Sequence, residues 1–298
     1  MKKKKIIAKR LAIVGIFYDG YKDLWYDFLN LFYRFWPNCP FQLFIVGQEV
    51  KIPEFDGVTF LSAGKDAEFS QKVRKALSEI DADYYLLLLE DFFFSKVLPE
   101  NCLDNLLDYI YEMDIDYCAL PLNEFKKSAT FNGKTIDKDL CLKMIPGRAN
   151  YTLSCQPSIW KKSFLKKAIS SGNYNAWVFE GIYSMAEEAH KKCFLEKCIC
   201  QPNNILHLKH GIVQGRFLPS TYRFFTKKEK YSFVSKFETM KGLALFKYRN
   251  KLLLNKILPR FFSRFIKKVF KGSSVIEKNK IQIIEELNNM GFHIRRGA

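Results

Sequence analysis

The apolar run at residues 84–94 constrains the fold of this 298-residue chain more than any other segment. It follows the polar segment 81–83 and is apolar at every position except Glu90 and Asp91. A strand with one solvated face alternates polar and apolar residues, whereas a strand buried on both faces of a parallel sheet is apolar throughout. The run therefore predicts a central buried strand that ends in two carboxylates.

Glu90 and Asp91 lie where open α/β sheets bind ligands, at the carboxyl end of a strand. Burying such charges without compensation is unfavourable by several kcal/mol each, so a stabilising partner is expected. Hard oxygen ligands suit Mg²⁺ or Mn²⁺, and such a divalent cation can hold a diphosphate. The alternative is that one carboxylate is solvated and the other caps the next turn.

The alternation of predicted strands and helices along the chain predicts a doubly wound, mostly parallel sheet with helices on both faces. Further strands are predicted at residues 11–17, 41–46, 58–61, 117–120 and 205–210, and helices at residues 24–35, 69–80, 99–114, 159–169 and 182–192. Residues 121–150 are polar and predict a long functional loop, either a lid or an acceptor-side loop.

The net charge of +17 is concentrated at the two ends of the chain. Residues 1–10 carry +6 and residues 221–272 carry +13, whereas residues 11–220 carry −3. A nucleic-acid enzyme usually spreads its cations over the binding face, whereas basic tails with interleaved apolar residues suit an anionic membrane surface. We therefore expect a membrane partner and no nucleic acid.

The cysteine pattern and the hydropathy indicate the compartment. The eight cysteines form no CxxC pair, and Lys9 and Arg10 interrupt the stretch that would otherwise resemble a secretory signal. No segment approaches the roughly 20 apolar residues of a membrane span. These features predict a cytoplasmic protein, peripheral on the inner face of the cell membrane.

Residues 243–271 are predicted to bind that membrane. Phe261, Phe262 and Phe265 recur at helical spacing, while Arg260 and Arg264 lie on the opposite side. The alternative is that the aromatic stripe packs on the protein body. Ser274 with Glu277 then predicts a capped final helix at 275–290 that packs back on the body, so the chain divides into residues 1–220 and a basic helical region, 221–298.

Two further residues suggest chemistry. Glu180 lies among apolar residues, and desolvation there would raise its pKa toward the range of a general base. The alternative is a helix-start glutamate favoured by the macrodipole. Arg216 ends a turn with two glycines, which suits a phosphate.

Several motifs together resemble bacterial GT-A-fold glycosyltransferases of surface polysaccharide synthesis (capsule and O-antigen clusters). They are residues 17–25, 36–40, 86–93 with Glu-Asp-Phe-Phe at the end, 154–162 and 177–180, and the resemblance covers roughly residues 11–217. In that family an Asp-x-Asp motif ends a central strand and holds a divalent metal on a nucleotide-sugar diphosphate. Here Glu90-Asp91 stands in its place, with Asp91 favoured as the metal ligand.

The resemblance implies a hexosyltransferase with a nucleotide-sugar half at about 11–120 and an acceptor half at about 121–220, and the choice of Glu180 as base implies inversion at the sugar carbon. Glu180 would be the base, acting on a hydroxyl of a polyprenyl-diphosphate-linked glycan. The implied donor-side residues are Phe17, Tyr18, Asp19, Ser70, Lys72, Glu90 and Arg216, and the implied acceptor-side residues are Gln156 and Trp177.

Simpler interpretations and other function classes stay open. Tyr18 could be a surface aromatic and Lys72 a solvated helix lysine. The chain could also be a membrane or nucleic-acid binding protein with a non-catalytic scaffold, although the −3 balance of residues 11–220 speaks against that. Another nucleotide-using transferase would be expected to carry a Gly-rich phosphate loop, and no GxxxxGK segment is present.

Overall fold

A nine-stranded sheet forms the centre of the fold and is covered by helices on both faces. The computed structural model describes residues 11–49, 55–122, 133–147, 152–187, 191, 194–257 and 278–293, with side chains up to residue 249 in the helix that ends at 257. The predicted α/β fold class is confirmed.

The strands and helices are numbered here in chain order. The strands are β1 Leu11–Ile16, β2 Leu43–Gly47, β3 Val58–Ser62, β4 Tyr84–Leu88, β5 Phe92–Phe94, β6 Tyr117–Ala119, β7 Thr135–Asp137, β8 Leu142–Met144, β9 Ser158–Lys161, β10 Cys198–Cys200, β11 Leu208–His210, β12 Ile212–Val213 and β13 Arg216–Phe217. The α-helices are α1 Lys22–Phe35, α2 Phe69–Glu79, α3 Asp104–Glu112, α4 Lys162–Ala168, α5 Ala176–Met185, α6 Pro219–Arg223, α7 Gly242–Ile257 and α8 Lys280–Asn289.

The sheet has the strand order β3-β2-β1-β4-β9-β6-β10-β8-β7. Strands β3, β2, β1 and β4 pair in parallel, and β9 is antiparallel to both β4 and β6. Only β9 and β8 run against the other strands of this sheet, so it is mostly parallel, as predicted. The carboxyl ends of β1, β2 and β4 therefore meet at one edge.

Strand β1 shows why helices cover both faces of the sheet. Leu11 and Ile13 pack into one apolar core with α1 and α3, whereas Ala12 and Val14 pack into a second core with α2, α4, α5 and α8. Successive side chains of a strand point to opposite faces, so a strand that is apolar throughout requires a core on each side.

The predicted continuous strand at 84–94 is divided in two. Strand β4 ends at Leu88, and the N–H of Phe92 donates to the carbonyl of Leu89 at 3.3 Å, which closes a turn. Strand β5 then leaves the main sheet and pairs antiparallel with β11. The two carboxylates therefore lie in the turn between β4 and β5 and not within a strand of the main sheet.

Two predictions for the second half of the chain need correction. The segment 121–150 was predicted as a loop, but β7 and β8 pair as a hairpin at the edge of the sheet. The helix predicted at 159–169 begins only at Lys162, because Ser158–Lys161 forms strand β9 between β4 and β6. Its apolar residues Ile159 and Trp160 fit a strand buried on both faces.

Helix α5 begins six residues before the predicted start at 182, and it ends at Met185 instead of 192. Asn175 is the reason, because its side-chain oxygen accepts hydrogen bonds from the N–H groups of Trp177 and Val178 at 3.0 and 3.1 Å. Asparagine is among the preferred N-cap residues. Glu180 therefore lies inside the helix and not in the turn that leads into it.

The segment 217–240 packs on helix α1. The fully buried carboxylate of Asp27 accepts hydrogen bonds from the Tyr231 hydroxyl and from the N–H groups of Val234 and Ser235, at 2.8–2.9 Å. Leaving buried donors such as these unpaired is unfavourable by roughly 1–3 kcal/mol each. Part of the region predicted as a basic tail from residue 221 therefore packs on the body.

Helix α8, Lys280–Asn289, also packs on the body, as predicted for the final helix at 275–290. Ile283 contacts Gly181 of helix α5, and the buried carboxylate of Glu286 accepts a hydrogen bond from Ser170 Oγ at 2.6 Å. Residues 258–277, which contain the predicted basic and aromatic stripe and its capping box, lie outside the described residues, as do residues 1–10. None of the helices that the structure describes has the length and apolar character needed to cross a bilayer.

Candidate active site

The carboxyl ends of β1 and β4 bring together most of the predicted donor-side residues. Residues 17–19 follow β1, and Glu90 and Asp91 follow β4. These strands are neighbours in parallel register, with Gly15 opposite Leu88. The two segments therefore meet, and the N–H of Tyr18 donates to Glu90 Oε1 at 3.2 Å.

Phe17 and Tyr18 have different environments. The Phe17 ring is fully buried, with its centroid 5.5 Å from that of Trp25 and 4.9 Å from that of Phe28. The Tyr18 ring is 51% exposed at the edge of the sheet. Of the two aromatics predicted to contact the nucleotide, only Tyr18 therefore presents a ring to solvent.

Asp19 links the ends of β1 and β2. Its two carboxylate oxygens accept hydrogen bonds from the N–H groups of Gln48 and Glu49, at 2.7 and 2.8 Å. Gly47 fits beside it because a Cβ there would come within 2.5 Å of Trp25 and 3.0 Å of Asp19. Asp19 thus positions the loop that borders the Tyr18 ring.

Lys72 projects from helix α2 toward the same edge and is buried, so it is not a solvated helix lysine. Its Nζ donates to the Phe17 carbonyl at 2.7 Å and lies 5.6 Å from the centroid of the Tyr18 ring. Burial lowers the pKa of Lys72, while the nearby carboxylates of Glu90 and Asp19 act in the opposite direction. A buried ammonium group beside an exposed aromatic ring suits an anionic ligand.

The Glu90 carboxyl is buried beside this lysine. Burial and the neighbouring Asp91 raise the pKa of Glu90 to about 8. Hydrogen bonds from backbone N–H groups and the positive charge of Lys72 oppose this shift. Two carboxyl groups at one site disfavour each other's ionised form. The pair is therefore unfavourable as two anions unless a cation joins it.

Asp91 has a partner that the sequence analysis missed. Its Oδ2 lies 3.0 Å from Nε2 of His210 on β11, 119 residues along the chain, and its carbonyl accepts from the N–H of Gly211 at 2.7 Å. Its Oδ1 is buried and has no hydrogen-bond partner among the described residues. The alternating segment 205–210 was identified as a strand, but nothing local indicated its contact with Asp91.

Asp91 and His210 together fit a divalent cation. Carboxylate oxygen and imidazole nitrogen both bind Mn²⁺, and the buried Oδ1 is an acceptor that needs a cation or donor. Within the described residues no cluster of three or more His, Cys, Asp or Glu side chains could hold a metal. The remaining coordination positions would therefore belong to substrate oxygens and water, which is common for Mg²⁺ at phosphate sites.

Tyr21 brings the turn before Arg216 to this site and was also missed. Burial raises the pKa of Tyr21, and Glu90 and Asp91 raise it further, while an interaction with the backbone of Gly215 opposes them. The Tyr21 hydroxyl thus lies near both acidic residues and the turn between β12 and β13. Arg216 is exposed at the end of that turn.

Glu180, the predicted base, lies on helix α5. Its Oε1 accepts a hydrogen bond from the N–H of Cys155 at 2.9 Å, and the side chain is half-buried. Burial raises the pKa of Glu180 to about 7, with the Cys155 hydrogen bond opposing the shift. As the fifth residue of α5, Glu180 is not the helix-start glutamate of the alternative interpretation.

Cys155 connects the two halves of the site. Burial raises the pKa of its thiol, and the charges of both Glu180 and Asp91 raise it further. Glu180 Oε1 accepts a hydrogen bond from the Cys155 N–H, and Cys155 lines one cavity with Leu88 and Leu89 at the end of β4. The candidate base and the acidic strand end therefore belong to one site.

The two predicted acceptor-side residues flank Glu180. Trp177 is 54% exposed and precedes Glu180 by three residues, which places both on one side of the helix. Gln156 follows Cys155, and its Oε1 is buried without a hydrogen-bond partner among the described residues. An exposed indole and an unsatisfied amide suit a sugar, which offers both apolar faces and hydroxyl groups.

Ser70 is placed away from the open edge. It is fully buried, its hydroxyl donates to the carbonyl of Gly172 at 2.8 Å, and it accepts from the N–H of Tyr174 at 2.9 Å. These bonds connect helix α2 to the loop before α5. The side chain therefore positions the helix that carries Glu180 and does not line the donor side.

Comparisons with known proteins give only structural similarities. No protein-family model matches the chain, and no curated protein matches it. Residues 1–349 of S. aureus TarS in complex with UDP-GlcNAc are 12% identical, with a TM-score of 0.45, over 94% of this chain and 80% of that one. The mannosyltransferase PcManGT from Pyrobaculum calidifontis, in complex with GDP-Man and Mn²⁺, is 10% identical, with a TM-score of 0.41 and the same coverages.

Proposed function

We propose that this protein is a glycosyltransferase that moves a sugar from a nucleotide-sugar donor to a hydroxyl group of a glycan. One observation supports this most strongly. Glu180 accepts a hydrogen bond from the N–H of Cys155 at 2.9 Å, and Cys155 lines one cavity with Leu88 and Leu89, directly before the paired carboxylates Glu90 and Asp91. A transferase of this kind needs a diphosphate site and a base across one reaction centre.

The donor would occupy the edge between β1 and β4. The exposed Tyr18 ring would stack on the nucleobase of the donor, and the loop that Asp19 orders would border that nucleobase. Lys72 and Arg216 would contribute positive charge toward the diphosphate. Asp91 with His210 would hold a divalent cation, Mn²⁺ or Mg²⁺, which when bound offsets the charge of the departing diphosphate.

The acceptor would approach from the side of α5. Glu180, with its pKa near neutrality, would take the proton from the attacking hydroxyl while Trp177 and Gln156 bind the acceptor sugar. Attack from the face opposite the leaving diphosphate inverts the anomeric centre. The raised pKa is functional here, because a base is most efficient when its pKa lies near the working pH.

The first test is a panel of nucleotide sugars, incubated with the protein, Mn²⁺ or Mg²⁺, and simple glycan acceptors. We expect one donor to raise the thermal midpoint and to release its nucleoside diphosphate, and chelation to slow that release. A Tyr18→Ala variant tests the donor site, because it should bind that donor more weakly. A stacked aromatic ring contributes about 1–3 kcal/mol. No stabilisation and no release with any donor would contradict the proposal.

We further propose that residues 243–271 hold the enzyme at an anionic membrane, next to a polyprenyl-diphosphate-linked acceptor of capsule or O-antigen type. The described start of helix α7 supports this. Leu243 and Phe246 are 67% and 62% exposed there, and Lys247 and Arg249 are exposed beside them. Exposed apolar residues interleaved with cations are typical of helices in the headgroup region.

Vesicle flotation measures this association. Changing Arg260, Arg264, Lys267 and Lys268 together to Glu should abolish binding to anionic vesicles, because each cation near such a surface contributes about 1 kcal/mol. Full-length variants are required, since truncation at residue 240 would also remove helix α8 and its contact with Gly181. Neutral vesicles are the control, and equal flotation of variant and wild type at low salt would exclude this role.

A further inference from the structure

A cationic cavity lies on the other side of strand β11 from Asp91. Its volume is about 260 Å³, and Lys96, Lys209 and Lys228 line it, together with His207, Asn204 and Phe224. Lys209 lines this cavity, whereas the next residue, His210, contacts Asp91. Successive residues of a strand point to opposite faces, so the cavity and the candidate active site are separate.

Within the described part of the chain, the three lysines of this cavity have no carboxylate partner. No described Asp or Glu forms an ion pair with Lys96, Lys209 or Lys228, and none of the described residues that line the cavity is a carboxylate. Three cations that converge without an anion repel one another unless a ligand supplies the missing charge.

Aromatic and backbone contacts hold the cavity in shape. Lys209 Nζ and Lys228 Nζ lie 4.5 and 5.2 Å from the centroid of the same Phe224 ring. The Asn204 side chain bonds both the N–H and the carbonyl of Leu208, at 2.9 and 2.7 Å. The Phe224 ring therefore orients the ammonium groups of Lys209 and Lys228 before a ligand arrives, which lowers the entropy lost on binding.

The electrostatic potential inside the cavity is positive. The cavity is also small. Burial lowers the pKa of His207, and the charge of Lys96 lowers it further. A volume of about 260 Å³ is below the roughly 300–1,000 Å³ typical of sites for larger organic ligands. It suits a compact, highly charged anion with several acceptor oxygens.

We propose that this cavity binds a phosphoryl group, a phosphate or diphosphate, that does not belong to the sugar donor. Three lysines offer up to nine N–H donors, which matches the oxygens of such a group better than those of a single carboxylate. The group could belong to a lipid headgroup or to a soluble or glycan-borne phosphate. The site does not depend on the transferase activity proposed above.

Binding of inorganic pyrophosphate to the full-length protein tests the site, by titration calorimetry at low salt with chelator present. The triple variant Lys96→Gln, Lys209→Gln, Lys228→Gln should bind at least tenfold more weakly than wild type. The double variant Lys166→Gln, Lys167→Gln removes exposed lysines of helix α4 and should bind like wild type. Replacing the three cavity lysines with Arg should restore binding, because the charge returns.

Flotation with phosphatidylglycerol vesicles identifies the source of the phosphate. If the triple variant loses both pyrophosphate and vesicle binding, or vesicle binding alone, the cavity holds a lipid headgroup. If it loses pyrophosphate binding and floats like wild type, the ligand is a soluble or glycan-borne phosphate. If the triple variant matches the Lys166 and Lys167 control in both assays, the cavity binds no phosphoryl group and the proposal is wrong.

Discussion

Asp91→Ala and Glu90→Ala are each expected to remove detectable sugar transfer, with losses on the order of 10³-fold or more, while the fold stays intact. Removing one group that stabilises developing charge already lowers turnover by about 10²–10³-fold. Asp91 carries in addition the contact with His210, so its loss would dismantle the proposed cation site. Transfer is measured as nucleoside diphosphate release, and the fold by circular dichroism and thermal unfolding.

The fold should survive because neither residue lies in a strand of the sheet, and Glu90→Ala removes one hydrogen bond, which Glu90 Oε1 accepts from the Tyr18 N–H. Asp91 contributes to structure mainly through its backbone carbonyl, which bonds the N–H of Gly211 and remains in an alanine variant. Asp81→Ala is the matched control, because this exposed residue lies at the opposite end of the same strand and should retain full activity. Undiminished transfer by both variants, with and without chelator, would rule out the metal–diphosphate site.

Glu180→Gln is expected to preserve donor binding and to lower turnover by at least the roughly 10²-fold typical of a lost general base. A base acts in its deprotonated form, and burial raises the pKa of Glu180 to about 7. In the wild type, kcat/KM should therefore rise as pH increases through about 7 and level off above it. Glutamine cannot accept the proton, so this rise should disappear in the variant.

The pH profile separates a chemical role of Glu180 from a structural one. Gln can still accept the N–H of Cys155, so helix α5 should keep its position and the thermal midpoint should change little. Glu79→Gln, an exposed change on helix α2, should leave turnover and profile unaltered. Wild-type turnover in Glu180→Gln would assign the base to another group, and the inference of inversion would then fall with it.

Much of the fold could be predicted because it depends on local patterns of burial. The apolar character of β1 and β4 requires two covered faces, and the spacing of apolar residues in α1 and α2 predicts one buried side for each helix. The errors occurred where one apolar segment suits two structures. Residues 158–161 match a strand and a helix start equally well, and only their place between β4 and β6 makes them a strand.

The residues of the candidate site also fall into two groups, those that the sequence indicates and those that only the structure shows. Glu90 and Asp91 could be identified because two carboxylates at the end of an apolar run are conspicuous in the sequence, and Glu180 because it is isolated among apolar neighbours. Their roles stay predictions until the variants are measured. His210 and Tyr21 could not be found, because each reaches the acidic pair through a contact between segments far apart in the chain.

By itself the sequence determined which segments must be buried, where charge would need compensation and which residue types could carry transfer chemistry, because these follow from the solvation of each side chain and its neighbours. Only the tertiary structure decided that Tyr18 and not Phe17 presents its ring, that Ser70 positions a loop, and that Asp91 meets a histidine. Such contacts depend on the order in which strands pair and on where each turn ends. Those are collective outcomes of packing the whole chain, and no local pattern specifies them.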